Sequence, residues 1–128
     1  MLIAIEYDRD ALYKRIETRV DRMFARGLLD EVGRLVSNPL GLSRQASQAL
    51  GYKEVIDFFQ GKYTFSEVSC EIKQRTRRFA KRQMTWFRSF SNIHWIHAMA
   101  DNDTAELSEQ FLVWYFSSKN GINGNDEI

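Results

Sequence analysis

Between Ile72 and Arg88 the sequence carries seven basic residues and no acidic one: Lys73, Arg75, Arg77, Arg78, Lys81, Arg82 and Arg88. A solvated helix face normally mixes signs, because opposite charges at i,i+4 stabilise and like charges repel. Here like charges stand four apart three times, as Lys73/Arg77, Arg77/Lys81 and Arg78/Arg82. Each such pair costs roughly 0.2–0.5 kcal/mol, and a bound polyanion would relieve the repulsion. Arginine dominates the set, and its planar fork matches the oxygens of a phosphate group. The chemistry this pattern points to is phosphate binding, and charge of one sign does not by itself separate RNA from DNA.

A second set, Arg15, Arg19, Arg22 and Arg26, follows the spacing i, i+4, i+7, i+11 and forms one arginine face beside an apolar one. Glu17 and Asp21 fall elsewhere on the same wheel. Such a face suits a diphosphate or a nucleic-acid backbone at the edge of a cleft. Ion pairs to acids on neighbouring elements are the structural alternative.

Other reactive residue types carry less. His94 and His97 stand three apart in a strand-like segment and point to opposite faces, which argues against a shared metal. Cys70 is the single cysteine, so neither an internal disulfide nor a cysteine-based metal site can form, in keeping with a reducing cytoplasm. Trp86, Trp95 and Trp114 could stack on bases, yet each sits in an apolar pattern that assigns it to the core. No G-x-x-x-x-G-K-[ST] or G-x-G-x-x-G segment is present to cradle a nucleotide phosphate. No catalytic residue and no metal site are expected in this chain.

The elements that must position these residues are mostly helices. Residues 2–7 alternate weakly and read as a strand that needs partners. Asp8 or Asp10 can cap the helix that follows, along which Leu12, Ile16, Val20 and Met23 recur until Gly27. A shorter helix over residues 28–37 stops before Asn38-Pro39. Residues 40–49 read as a loop with one helical turn, and residues 52–59 as a helix between Gly51 and Gly61. Thr64 or Ser66 caps the longest helix, residues 65–90. There Phe65, Val68, Ile72, Phe79, Trp86 and Phe87 make an apolar stripe about 100° wide that should bury the helix. Residues 93–96 form a second short strand, residues 104–115 a last helix, and the end of the chain an acidic, frayed tail. The fold class is mainly α, with two short strands.

At 128 residues the chain is about one domain, with residues 1–100 its body and residues 101–128 a separate helix and tail. The net charge of +1 hides a basic body, with 17 Lys/Arg against 11 Asp/Glu up to residue 100, and a tail with one Lys against six acids. No run reaches the ~18–20 apolar residues of a membrane span, and no signal-peptide pattern opens the chain. No membrane partner is expected.

Three blocks in order carry a family resemblance. Residues 73–88, KQRTRRFAKRQMTWFR, resemble the C-terminal signature of tRNA dimethylallyltransferases, the isopentenyl transferases that act on tRNA. RIETRVDRM at 15–23 with GLLDEV at 27–32 resembles the family's arginine-bearing helix pair, and QALGYKE at 48–54 its Gly-Tyr turn. The resemblance covers residues 2–97. It implies transfer of a dimethylallyl group from its diphosphate to N6 of the adenosine beside the anticodon. It also implies a P-loop-kinase-like α/β domain whose parallel sheet the two strands would complete. That domain, with its P-loop, Mg²⁺ site and catalytic aspartate, is expected to lie outside this chain. The chain alone is then expected to be inactive, and either that domain or a second copy to cover its strands. Carried over by residue, Arg19 matches the diphosphate contact. Gln74, Arg75, Thr76, Arg77, Arg78, Phe79, Ala80 and Lys81 match the tRNA-touching segment, and Arg44, Gly51 and Tyr52 a loop near the tRNA. The expected partners are a tRNA anticodon stem-loop and dimethylallyl diphosphate. The alternative is a stand-alone, non-catalytic helical RNA-binding module.

Overall fold

The structure, a computed structural model, describes residues 2–99 and 104–120. Its elements are β1 (Leu2–Tyr7), α1 (Arg9–Ala25), α2 (Leu28–Val36), α3 (Arg44–Ser47), α4 (Tyr52–Phe59), α5 (Phe65–Phe87), β2 (Ile93–Ala98) and α6 (Thr104–Asn120). They fall into two compact units, Tyr13–Trp86 and the combination of Met1–Leu12 with Phe87–Ile128.

The unit Tyr13–Trp86 is helical, and local chemistry sets its breaks. Gly27 has φ 90°, a left-handed conformation that ends α1 and opens α2, as the sequence predicts. Ser43 caps α3 by accepting from the Ala46 N–H at 3.1 Å. Thr64 caps α5 reciprocally: its hydroxyl accepts from the Glu67 N–H at 3.3 Å, and Glu67 accepts from the Thr64 N–H at 2.7 Å. The bond from the Thr64 N–H, and a second from the Thr64 hydroxyl to the same carboxylate oxygen at 2.8 Å, hold the Glu67 carboxyl below the usual carboxylate range.

The core of this unit joins one residue of α1 (Val20), two of α2 (Leu28, Val32), one of α4 (Val55) and two of α5 (Val68, Ile72). The apolar stripe of α5 is therefore corrected. Val68 and Ile72 are buried, but Phe65, Phe79 and Trp86 are exposed. Trp86 is not a core residue. The reason is length: α5 has 23 residues and spans ~34 Å, whereas α2 and α4, with 9 and 8, span only ~12–14 Å. The short helices cover one part of the long one.

Asp57 is the second buried acid of α4. It accepts from Lys53 at 2.9 Å and from Lys62 at 2.6 Å, and the Lys62 bond leads the effects that lower its pKa. A carboxylate with a depressed folded pKa adds stability above its unfolded pKa and loses that stability as pH falls through the folded value. We expect Asp57→Asn to lower stability by about 1–2 kcal/mol at neutral pH, and the difference from wild type to shrink below about pH 4. Urea melts at several pH values check this, and a pH-independent difference rules it out.

In the other unit β1 and β2 pair in parallel, with Leu2 opposite Ile93 and Tyr7 opposite Ala98. β2 thus runs two residues past the predicted strand. Ala4, Ile96 and Ala98 are buried, whereas Leu2 and Ile5 are exposed. The α5 helix stops at Phe87, short of the predicted residue 90, and Arg88 pairs with Glu6 of β1. His94 and His97 do different things: His94 stacks on Trp114 of α6 at 4.0 Å, and His97 lies 3.5 Å from Glu6. The α6 helix extends five residues beyond the predicted residue 115. The end of the acidic tail, residues 121–128, lies outside the described residues. Among those described, no helix is long and apolar enough to cross a membrane.

Candidate nucleic-acid interface

Two long helices set the electrostatics of the unit Tyr13–Trp86. On α1 the acids Glu17 and Asp21 lie on one flank of the buried residues Ile16 and Val20, and Arg15, Arg19, Arg22 and Arg26 lie on the other. The acidic flank meets α5: Lys73 pairs with Asp21 and Arg77 with Glu17, each at 2.6 Å. The Arg77 guanidinium also sits 5.7 Å from the Tyr13 ring centre. This corrects the repulsion argument for one side of α5, since α1 itself neutralises Lys73 and Arg77. The reason lay outside α5, in which helix packs beside it.

The other side of α5 faces the turn before α4. Gln48, Leu50, Lys53, Glu54, Arg75, Arg78, Phe79 and Arg82 line an open cleft of about 440 Å³. Gly51, at φ 96°, makes the turn, and a Cβ built there would meet the Met23 methyl at 3.6 Å. Glu54 is 1% exposed, so its charge must be compensated. One oxygen accepts from the Gly51 N–H at 2.7 Å and the other meets Arg75 at 3.1 Å. Arg75 is held again by Glu71 at 2.6 Å, and that bond leads the effects that raise its pKa. Arg78 and Arg82 have no carboxylate partner among the described residues, nor has the exposed Lys81. Arg82 lies 5.9 Å over the Phe79 ring, and Phe79 is 46% exposed. Unpaired guanidinium groups beside an exposed aromatic form a surface that can grip phosphates and stack a base.

The predicted tRNA-touching residues therefore divide. Arg78, Phe79 and Lys81 are exposed, and so is Arg44 on α3. Arg75 and Arg77 are already tied to carboxylates. Thr76 and Ala80 are half-buried, and the Thr76 hydroxyl donates to the Ile72 carbonyl at 2.7 Å. Gln74 is exposed but lies with Arg77 in a separate depression beside Tyr63 and Glu67. Gly51 is buried as a turn, and the Tyr52 hydroxyl donates to Glu31 of α2, which raises the phenol pKa. Arg19, Arg22 and Arg26 are exposed and, among the described residues, have no carboxylate partner. Lys53, Glu54 and Arg82 were missed as members of the cleft. A glycine N-cap hid Glu54, because the capping-box signature is read from a Ser or Thr three residues earlier. Among the described residues, no three His, Cys, Asp or Glu side chains gather where they could hold a metal ion.

The sequence matches the family described as IPP transferase over residues 1–90. The chain belongs to that family. A tRNA dimethylallyltransferase of Desulforamulus reducens is 52% identical over 119 residues, 87% of this chain and 42% of that protein. One of Shouchella clausii is 48% identical over 97 residues, 76% of this chain and 31% of that protein. The crystal structure of the full-length tRNA isopentenylpyrophosphate transferase of Bacillus halodurans superposes with a TM-score of 0.80 at 35% identity, covering 95% of this chain and 41% of that one. The chain thus spans between about a third and two-fifths of the length of these relatives. Both the basic helix and the Gly-Tyr turn fall inside the matched residues.

Proposed function

We propose that this chain is the tRNA-holding part of a tRNA dimethylallyltransferase. The reaction moves a dimethylallyl group from its diphosphate to the exocyclic N6 of the adenosine beside the anticodon, position 37. The single observation that carries the reading is the cleft between the Gly51 turn and α5, where Arg78 and Arg82 flank an exposed Phe79. Arg78 and Lys81 grip phosphates of the anticodon stem-loop, and Arg44 supports them from α3. Arg75 and Arg77 shape the surface through Glu54 and Glu17. An adenosine must leave its stack before its N6 can react, so a grip on the surrounding loop is part of the chemistry. In this reading Arg19 holds the leaving diphosphate from the arginine flank of α1. The described residues offer no clustered donor set for Mg²⁺. The family resemblance, and no observation on these residues, assigns the metal, the P-loop and the base that takes the N6 proton to a P-loop-kinase-like domain of the same cytoplasmic enzyme.

Titrating the 128-residue chain with an anticodon stem-loop and with a perfect RNA duplex of equal length tests the reading. Tighter, salt-dependent binding of the stem-loop is expected. Equal affinity for both overturns the tRNA assignment. In a full-length transferase carrying this segment, Arg19→Ala should raise KM for dimethylallyl diphosphate about ten-fold or more, since a charge-assisted hydrogen bond is worth ~1.5–3 kcal/mol. An unchanged KM removes Arg19 from the diphosphate site.

A further inference from the structure

Glu54 is among the most buried side chains of the molecule, and it is charged. Its two oxygens go to different elements: the Gly51 N–H at 2.7 Å and the Arg75 guanidinium at 3.1 Å. A buried carboxylate is tolerated when both oxygens are satisfied, and removing a partner leaves an uncompensated charge. Its contacts are therefore fixed as a set. Gly51 adopts φ 96°, ψ −50°, a backbone that a Cβ-bearing residue rarely adopts and glycine takes freely, and Glu54 fixes one end of that turn through the Gly51 N–H. Arg75 supplies the other end, on the same face of α5 as Arg78 and Arg82.

We infer that Glu54 is a positioning residue for the RNA cleft, a carboxylate strut that holds the Gly51 turn against the basic face of α5. The inference rests on the proposed function for its RNA readout, though the strut itself is a property of the free chain. The strut predicts a sign that electrostatics alone does not. Replacing Glu54 by glutamine removes a negative charge from a cleft meant for a polyanion, so a purely electrostatic role makes RNA bind more tightly. A positioning role makes RNA bind more weakly, because the turn and Arg75 lose their common tie.

The experiment measures Kd for an anticodon stem-loop by anisotropy, together with hydrogen exchange of the Gly51 amide in the free chain. Glu54→Gln and Glu54→Asp are compared with wild type. Aspartate keeps the charge but is one methylene shorter and cannot span both partners. We expect Kd to rise at least five-fold in both variants. The Gly51 amide should exchange at least ten-fold faster, while the Val32 amide of α2 changes less. Where Glu54→Gln fails to fold, Glu54→Asp and Arg75→Lys carry the exchange measurement. Unchanged or tighter RNA binding in a folded variant, or equal acceleration at Gly51 and Val32, overturns the strut. If the wild-type chain binds no stem-loop, the proposed function and the RNA role fall together. The Gly51 exchange then still decides whether Glu54 ties the turn to the helix.

Discussion

Replacing Arg78, Lys81 and Arg82 together by alanine should weaken binding of an anticodon stem-loop roughly 100-fold at low salt, at ~1 kcal/mol for each exposed charge-to-phosphate contact. The slope of log Kd against log salt should fall by about 2–2.7, from ~0.7–0.9 for each lost phosphate contact. Stability should not fall. None of the three side chains has a carboxylate partner among the described residues, and removing the Arg78/Arg82 pair relieves like-charge repulsion. The melting temperature is therefore expected to match or exceed that of wild type. Arg75→Ala is the control for stability: it strands the buried Glu54 carboxylate and should melt earlier than wild type. A triple variant with unchanged affinity and slope would remove α5 as the RNA surface. One that melts earlier would mean these cations serve the fold.

The helices and their starts were legible because they are set locally, whereas the ends of α5 and α6 fell three and five residues from the predicted positions. Gly27, Gly51 and Gly61 stand at the predicted breaks, and all three take positive φ. Thr64 and Glu67 form the reciprocal cap at the start of the longest helix. The pairing of the strands in parallel follows from no local signal, because a parallel pair is joined by everything between its strands. What failed was the step from a helical wheel to a neighbour. The wheel separates Glu17 and Asp21 from the arginines of α1, but only packing reveals that those acids meet Lys73 and Arg77. The same gap made seven cations look alike. In the fold Lys73, Arg75, Arg77 and Arg88 are paired with carboxylates, and Arg78, Lys81 and Arg82 supply the open charge. The family motif marks the segment, and the packing sorts its members.

The two halves of α5 can be separated by experiment, and two single substitutions do so. Ile72 is 2% exposed in the core shared by α1, α2, α4 and α5. Ile72→Ala removes buried methyl and methylene groups and leaves a cavity, so it should cost about 2–5 kcal/mol. That is a large part of the ~5–15 kcal/mol total of a typical domain. Phe79 lies two turns further on, 46% exposed, with Arg82 above its ring. Phe79→Ala should cost about 1 kcal/mol of stability or less. It should also weaken stem-loop binding by ~1–3 kcal/mol, the usual worth of one base stacked on an aromatic ring. Denaturant melts and RNA titrations on both variants read the two quantities separately. Ile72→Ala, measured where it remains folded, should bind RNA within a few-fold of wild type, since Ile72 is not among the residues that line the cleft. Equal stability losses would place Phe79 in the core, against its exposure. An unchanged affinity in Phe79→Ala would leave the cleft a phosphate grip with no stacking platform. The apolar stripe of α5 would then have one use at Ile72 and none at Phe79, and the aromatic there would have no role in holding an extruded base's neighbours.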